Sequence, residues 1–200
     1  YKGFEAKKLH LLFQATYYLN IGNYKSAIRF YQELITLFES NQHLILNPPI
    51  YYLSAILGVL DSLHMAGLYK EMPFFIERLE KIRQGDYATE FLLEISAYIY
   101  LYEQASLINT GKFEAALILF GKYEDSLVKK IGLLRLETQL KVYLNIAILH
   151  LCLGNTDRAR KSMKKIFSSG KLFYALPSYK TARLINLLIQ AELGDYNFFE

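Results

Sequence analysis

Two side chains with the vocabulary of covalent catalysis stand two residues apart, His150 and Cys152. A thiol nucleophile needs its base within hydrogen-bond reach. The apolar spacing around the pair predicts a helix, and on a helix residues i and i+2 point in different directions, so the two do not form a nucleophile and its base. His10, His43 and His64 have no partner at metal-ligand spacing, and the chain holds no His-Glu-x-x-His, phosphate loop or dinucleotide fingerprint. The carboxylates are scattered at positions that read as helix surface. No element of an active site is assembled, so the expectation is a non-enzyme with no catalytic residue, no metal and no cofactor. Cys152 reads as a small buried hydrophobe.

The remaining candidate chemistry is electrostatic. Residues 1–128 carry 11 Lys and Arg against 14 Asp and Glu, whereas residues 129–171 carry ten against two. Within that basic block Arg158, Lys161 and Lys165 fall on one helical face, with Arg160 and Lys164 on the adjoining one. Such a strip suits an acidic protein or nucleic-acid phosphates. It lacks the interleaved aromatics of single-strand binders and any recognition-helix motif, so nucleic acid is not the expected partner, and a solvated outer face is the competing reading.

The elements that position these residues are set by a phrase that returns five times. It runs Gly22-Asn23-Tyr24-x-x-Ala27, Gly67-Leu68-Tyr69-x-x-Met72, Gly111-Lys112-Phe113-x-x-Ala116, Gly154-Asn155-Thr156-x-x-Ala159 and Gly194-Asp195-Tyr196-x-x-Phe199, at spacings of 45, 44, 43 and 40 residues. Helix-period apolar stripes flank each glycine, as Leu9, Leu12, Phe13 and Leu19 precede Gly22 and Ala27, Phe30, Tyr31, Leu34 and Phe38 follow it. A glycine between two such stripes supplies the left-handed turn of a helical hairpin. The spacing predicts first helices near 5–21, 50–66, 87–110, 133–153 and 178–193. Their partners fall near 24–40, 70–84, 112–130, 156–168 and from 195 onward. Pro48-Pro49 and Pro177 suit helix starts, Pro73 the first turn of its helix, and Asp86 an N-cap. The fold class is therefore all-α, a right-handed α-α superhelix (solenoid) of about four and a half antiparallel hairpins in a single domain over 1–200. The hairpins are bounded at about 5–40, 50–84, 87–130, 133–168 and 178–200. A HEAT-like stack is the alternative array.

The first repeat resembles the tetratricopeptide repeat, with Ala15, Tyr18, Gly22, Tyr24, Ala27 and Tyr31 at that family's small, aromatic and glycine positions. The third offers Leu107, Gly111, Phe113, Ala116 and Phe120, with Gln104 where a small residue belongs. The fourth offers Ala147, His150, Gly154, Ala159 and Met163, with Thr156 in place of the aromatic. Leu60 and Met72 replace both small residues in the second repeat, as Leu187 and Phe199 do in the fifth. Larger residues there predict wider spacing of the paired helices. The repeats also exceed the family's length of about 34 residues, so the resemblance is to a long-helix variant.

The resemblance implies function on a concave wall built from first helices. Its groove positions fall on Thr16 and Asn20, then Asp61 and His64, then Tyr98, Tyr102 and Asn109, then Lys141 and Asn145, interspersed with leucines. Asn20, Asn109 and Asn145 would suit an extended peptide, because a carboxamide both donates to and accepts from a backbone; local capping of the helix end is the competing role. The chaperone-binding members clamp a peptide's C-terminal carboxylate, but the corresponding pairs here, Leu12 and Thr16, Leu57 and Asp61, or Leu101 and Ala105, have no cation to do so. The expectation is a protein- or peptide-binding scaffold, with self-association through an uncapped terminal hairpin as a further partner mode. The alternative is the peptide-sensing effector domain of a transcriptional regulator.

Composition sets the outer bounds. At 200 residues, 52% apolar and 21% charged, with net charge +4, the chain can bury a continuous core and is not of disordered type. A single cysteine excludes an internal disulfide framework and fits a cytoplasmic setting. No apolar run reaches the roughly 20 residues of a membrane helix. The 17 tyrosines and 13 phenylalanines read mainly as filling between long helices. The chain reads as a fragment of a longer protein.

Overall fold

The structure is a computed structural model that describes residues 2–45 and 47–194. Those residues are helical, with no strand among them. They form two compact units, one ending at Tyr87 and one beginning at Ala88. The first holds α1 (Lys2–Asn20), α2 (Tyr24–Glu39), α3 (Ile50–Met65) and α4 (Met72–Arg83). The second holds α5 (Thr89–Asn109), α6 (Phe113–Glu124), α7 (Leu136–Cys152), α8 (Thr156–Phe167) and α9 (Ser178–Glu192). The expected second helix of the fifth hairpin lies outside the described residues. No helix among the described residues is long and apolar enough to cross a membrane.

The four predicted hairpin turns that lie wholly within the described residues are present and built the same way. Gly111 has φ +74° and Gly154 φ +70°, the left-handed region in which a Cβ would be strained. After α5, Gly111 N–H donates to Ile108 O at 3.0 Å and Lys112 N–H to Leu107 O at 2.9 Å; after α7, Gly154 donates to Leu151 at 3.0 Å and Asn155 to His150 at 2.8 Å. This paired closure satisfies two of the carbonyls that a helix end leaves open and turns the chain back along its own helix. The same two bonds close α1 at Gly22 and α3 at Gly67.

Side-chain size decides how closely the hairpins shut. Ala15 faces Ala27's helix in the first hairpin and Ala147 that of Ala159 in the fourth, all four fully buried, and there α1 packs on α2 and α7 on α8 along much of their length. Where the larger Leu60 and Met72 or Gln104 are buried at these positions, α3 packs less extensively on α4 and α5 on α6. Gln104 is completely buried with neither amide atom bonded, a cost of about 1–3 kcal/mol that an apolar residue of the same length would not carry.

Two expectations are corrected. The helix placed at 112–130 ends at Glu124, and the chain continues as a turn and a 3₁₀ stretch, Val128–Leu133. Leu127, Ile131 and Leu134 are buried there in the core around Tyr100, Tyr123 and Val142. Together with Tyr123 they keep a spacing of three to four residues, which an α-helix and a packed irregular segment share. Asp86 does not cap α5, because that helix begins at Thr89 with Ala88 at the cap position. Pro73, by contrast, sits in the first turn of α4 as expected, preceded by the 3₁₀ turn Tyr69–Glu71.

Candidate functional site

In the first unit, Thr16 and Asn20 lie exposed on α1, and Asp61 is exposed on α3. The Thr16 hydroxyl is 3.4 Å from the Tyr31 hydroxyl of α2. His64 is half-buried against Tyr69, 5.9 Å between ring centroids, and burial holds its imidazole below the usual histidine range despite the Asp61 charge. The polar link that ties this unit together was not anticipated. Glu39 of α2 accepts from Tyr52 of α3 at 2.9 Å and from Arg78 of α4 at 3.1 Å. Burial and the Glu39 acceptor push the Tyr52 phenol up to about 12.

In the second unit the groove positions play different parts. Tyr98 is half-buried and donates to Glu94 Oε1 at 3.3 Å. Tyr102 is buried. Asn109 is exposed and spends its amide locally, Nδ2 donating to Ala105 O at 2.8 Å in its own helix. Lys141 lies 3.6 Å from Glu137 across one helical turn. Asn145 is half-buried, and its Oδ1 is enclosed without a hydrogen-bond partner. Lys141, Asn145, Ile148 and Cys152 follow one another at helical spacing down the same side of α7. Cys152 is exposed, which corrects the expectation of a buried hydrophobe; its side faces away from the two cores that α7 separates, while partial burial raises its thiol pKa. His150 is on the other side of α7 and buried, so the pair does diverge as its spacing requires.

The strongest polar cluster centres on Glu94, which is only 7% exposed. Its carboxylate accepts from Arg135 Nε at 2.9 Å, from the Arg135 backbone N–H at 3.3 Å and from the Thr138 hydroxyl. Arg135 also reaches the Tyr98 hydroxyl. A side chain of α5 thus caps the N-terminus of α7, where free N–H groups favour a negative charge. The arrangement recurs one hairpin on: Glu137 of α7 accepts from the Ser178 hydroxyl, at the start of α9, at 2.7 Å. Glu94 and Glu137 each precede their hairpin glycine by 17 residues, and Thr138 and Ser178 theirs by 16. A lone carboxylate inside the apolar run Phe91–Tyr102 was the signal in the sequence, and it was not used.

The basic strip divides between two clefts. Arg158, Lys161 and Lys165 border one of about 700 Å³ between α6, the 3₁₀ stretch and α8, with Tyr143, Ile146 and His150 of α7 beneath. Arg160 and Lys164 border another of about 490 Å³ with Arg183, Asn186 and Gln190 of α9. His150 packs edge-on to Phe120, and burial followed by the Arg158 charge holds its pKa below the usual range. The folded state therefore favours neutral His64 and His150, while the unfolded chain takes up protons near the ordinary value of about 6.5. As pH falls through that value the unfolded state gains protons that the fold refuses, so stability should decline between about pH 7 and pH 5. Urea midpoints across that range should show the slope, and the His64→Gln/His150→Gln chain should flatten it; an equal slope in both would refute the assignment.

These features define a class, an all-α helical-repeat protein whose hairpins are closed by glycine and joined by side-chain bonds between first helices. Residues 11–41, from within α1 to just past the end of α2, match the family model for the tetratricopeptide repeat, so this hairpin is similar to that family and supports a tetratricopeptide-like reading of the helical repeats. Such repeats suggest in general a role in protein–protein interaction. No curated protein and no solved structure matches the chain.

Proposed function

We propose that the chain is a non-enzymatic scaffold that holds an extended segment of a partner protein along the exposed side of its first helices. In the second unit the positions are Tyr98, Tyr102 and Asn109 of α5 with Lys141 and Asn145 of α7, of which Tyr102 is buried and supports the wall from beneath while Asn109 lies at its edge; Thr16, Asn20, Asp61 and His64 hold the corresponding positions in the first. The observation that carries the reading is Asn145. Its carbonyl is enclosed without a partner while Lys141, one turn earlier, is already paired. An unbonded carboxamide costs free energy in the free protein, and a peptide N–H would remove that cost once the half-buried side chain turns its enclosed carbonyl outward on binding. Asn109 differs, because its amide is committed to its own helix.

The two asparagines therefore separate under test. With a partner captured on the intact chain from lysate and then purified, Asn145→Ala should weaken binding at least tenfold with the melting temperature unchanged or slightly raised. Asn109→Ala should leave affinity within twofold. A fluorophore on Cys152, the sole cysteine, lies on the Asn145 side of α7 and should respond to the same partner. Affinity indifferent to Asn145→Ala, with a silent fluorophore, would remove binding from this face.

A further inference from the structure

The cleft over the other side of α7 has a construction of its own. One lip is the row Arg158, Lys161 and Lys165, spread over about 10 Å at a helical rise of about 1.5 Å per residue. None of the three is in an ion pair among the described residues, whereas Lys129 on the far wall is held by Asp125 at 2.6 Å. Like charges at helical spacing repel, so α8 carries this row at a cost that an acidic ligand would reverse. The floor is of a different character: Ile146 and the ring of Tyr143 present apolar surface, Phe120 closes one side, and His150, 4% exposed, lies beneath with its Nδ1 enclosed. A cationic lip over a largely apolar floor matches a ligand that is itself two-sided.

We propose that this cleft binds an acidic, amphipathic segment of a partner protein, its carboxylates on Arg158, Lys161 and Lys165 and an aliphatic or aromatic side chain on the floor beside His150. Charge complementarity selects the acid, and the floor selects a peptide over a polyphosphate chain, which would leave the apolar surface uncovered. The surface is separate from the Asn145 side of the helix, so the two sites stand or fall independently.

The test is selection of a random 12-residue peptide display library on the intact chain, followed by fluorescence anisotropy of the enriched peptides. Enriched sequences should combine two or more carboxylates with an aliphatic or aromatic residue. Their Kd should rise at least tenfold in Lys161→Glu/Lys165→Glu, whose exposed positions and relieved repulsion should leave the melting temperature unchanged or slightly raised. It should stay within twofold in Asn145→Ala and in Lys171→Glu/Lys180→Glu, which alters net charge equally but off the cleft. A 12-nucleotide oligothymidylate should not displace them. Failure to enrich any peptide, enrichment without carboxylates, equal loss in both charge-reversed chains, or displacement by the oligothymidylate would each overturn the proposal.

Discussion

Alanine at Gly58 should lower the stability of the chain by about 3 kcal/mol, at the upper end of what overpacking a well-filled core costs. Gly58 lies within α3, fully buried, and a Cβ built there would come within 2.3 Å of the Tyr31 ring on α2. The ring has little room to retreat: Tyr31 is 5% exposed, and its hydroxyl is engaged with Thr16. The backbone at Gly58 is ordinary helix, where alanine would otherwise gain stability. The sign of the effect thus rests on the ring alone, and a double-mutant cycle tests it. Shortening the partner, Tyr31→Leu, costs stability by itself but should make Gly58→Ala nearly neutral, a coupling of about 2 kcal/mol or more. Additive losses in denaturant titrations would show that the two side chains do not oppose each other.

The second large effect is expected at Glu94. Glu94→Ala should cost about 3 kcal/mol, since it strips a buried acceptor from several donors at once. The ion pair with Arg135 is the smaller part, because that side chain is 70% exposed and solvent screens it. The larger part is Thr138, a buried hydroxyl that loses its carboxylate acceptor and keeps only the Tyr98 phenol beside it, together with the uncapped start of α7. Glu94→Gln keeps the shape and a carbonyl oxygen, so it should lose about half as much. The distinction is measurable with salt: if the loss in Glu94→Ala shrank markedly between low salt and about 0.5 M, a screened surface charge would be its source, and the buried-acceptor account would fail.

What the sequence made legible was local. A glycine that must turn left-handed imposes its requirement within a few residues, so the four described hairpin closures could be placed from spacing alone. The same holds for Ala15 with Ala27 and Ala147 with Ala159, where small size at a fixed distance from the glycine permits close packing. What stayed hidden depends on a second element. Gly58 falls inside the helix expected near 50–66 with no local reason for a glycine, because that reason, the Tyr31 ring, is on another helix. Glu94 looked like an ordinary surface acid because its donors lie some forty residues on. The strip from Arg158 to Lys165 was read as one patch, since a helical wheel gives angles but not what packs beside each one. Asn109 and Asn145 are the same residue type on the same kind of helix, yet one amide is committed and the other open; only coordinates separate them.

The pair of bonds from Glu94 to Thr138 and from Glu137 to Ser178 gives the second unit a direction. Every join has its acceptor on the earlier hairpin and its hydroxyl on the later one, in phase with the turn glycine. The hairpins are therefore interchangeable in grammar, like couplings of one gauge. A second copy of residues 135–177 spliced after Pro177 would offer its own Thr138 hydroxyl to the first copy's Glu137 and its own Glu137 to Ser178. The chain could then be lengthened by whole hairpins without redesigning either neighbour.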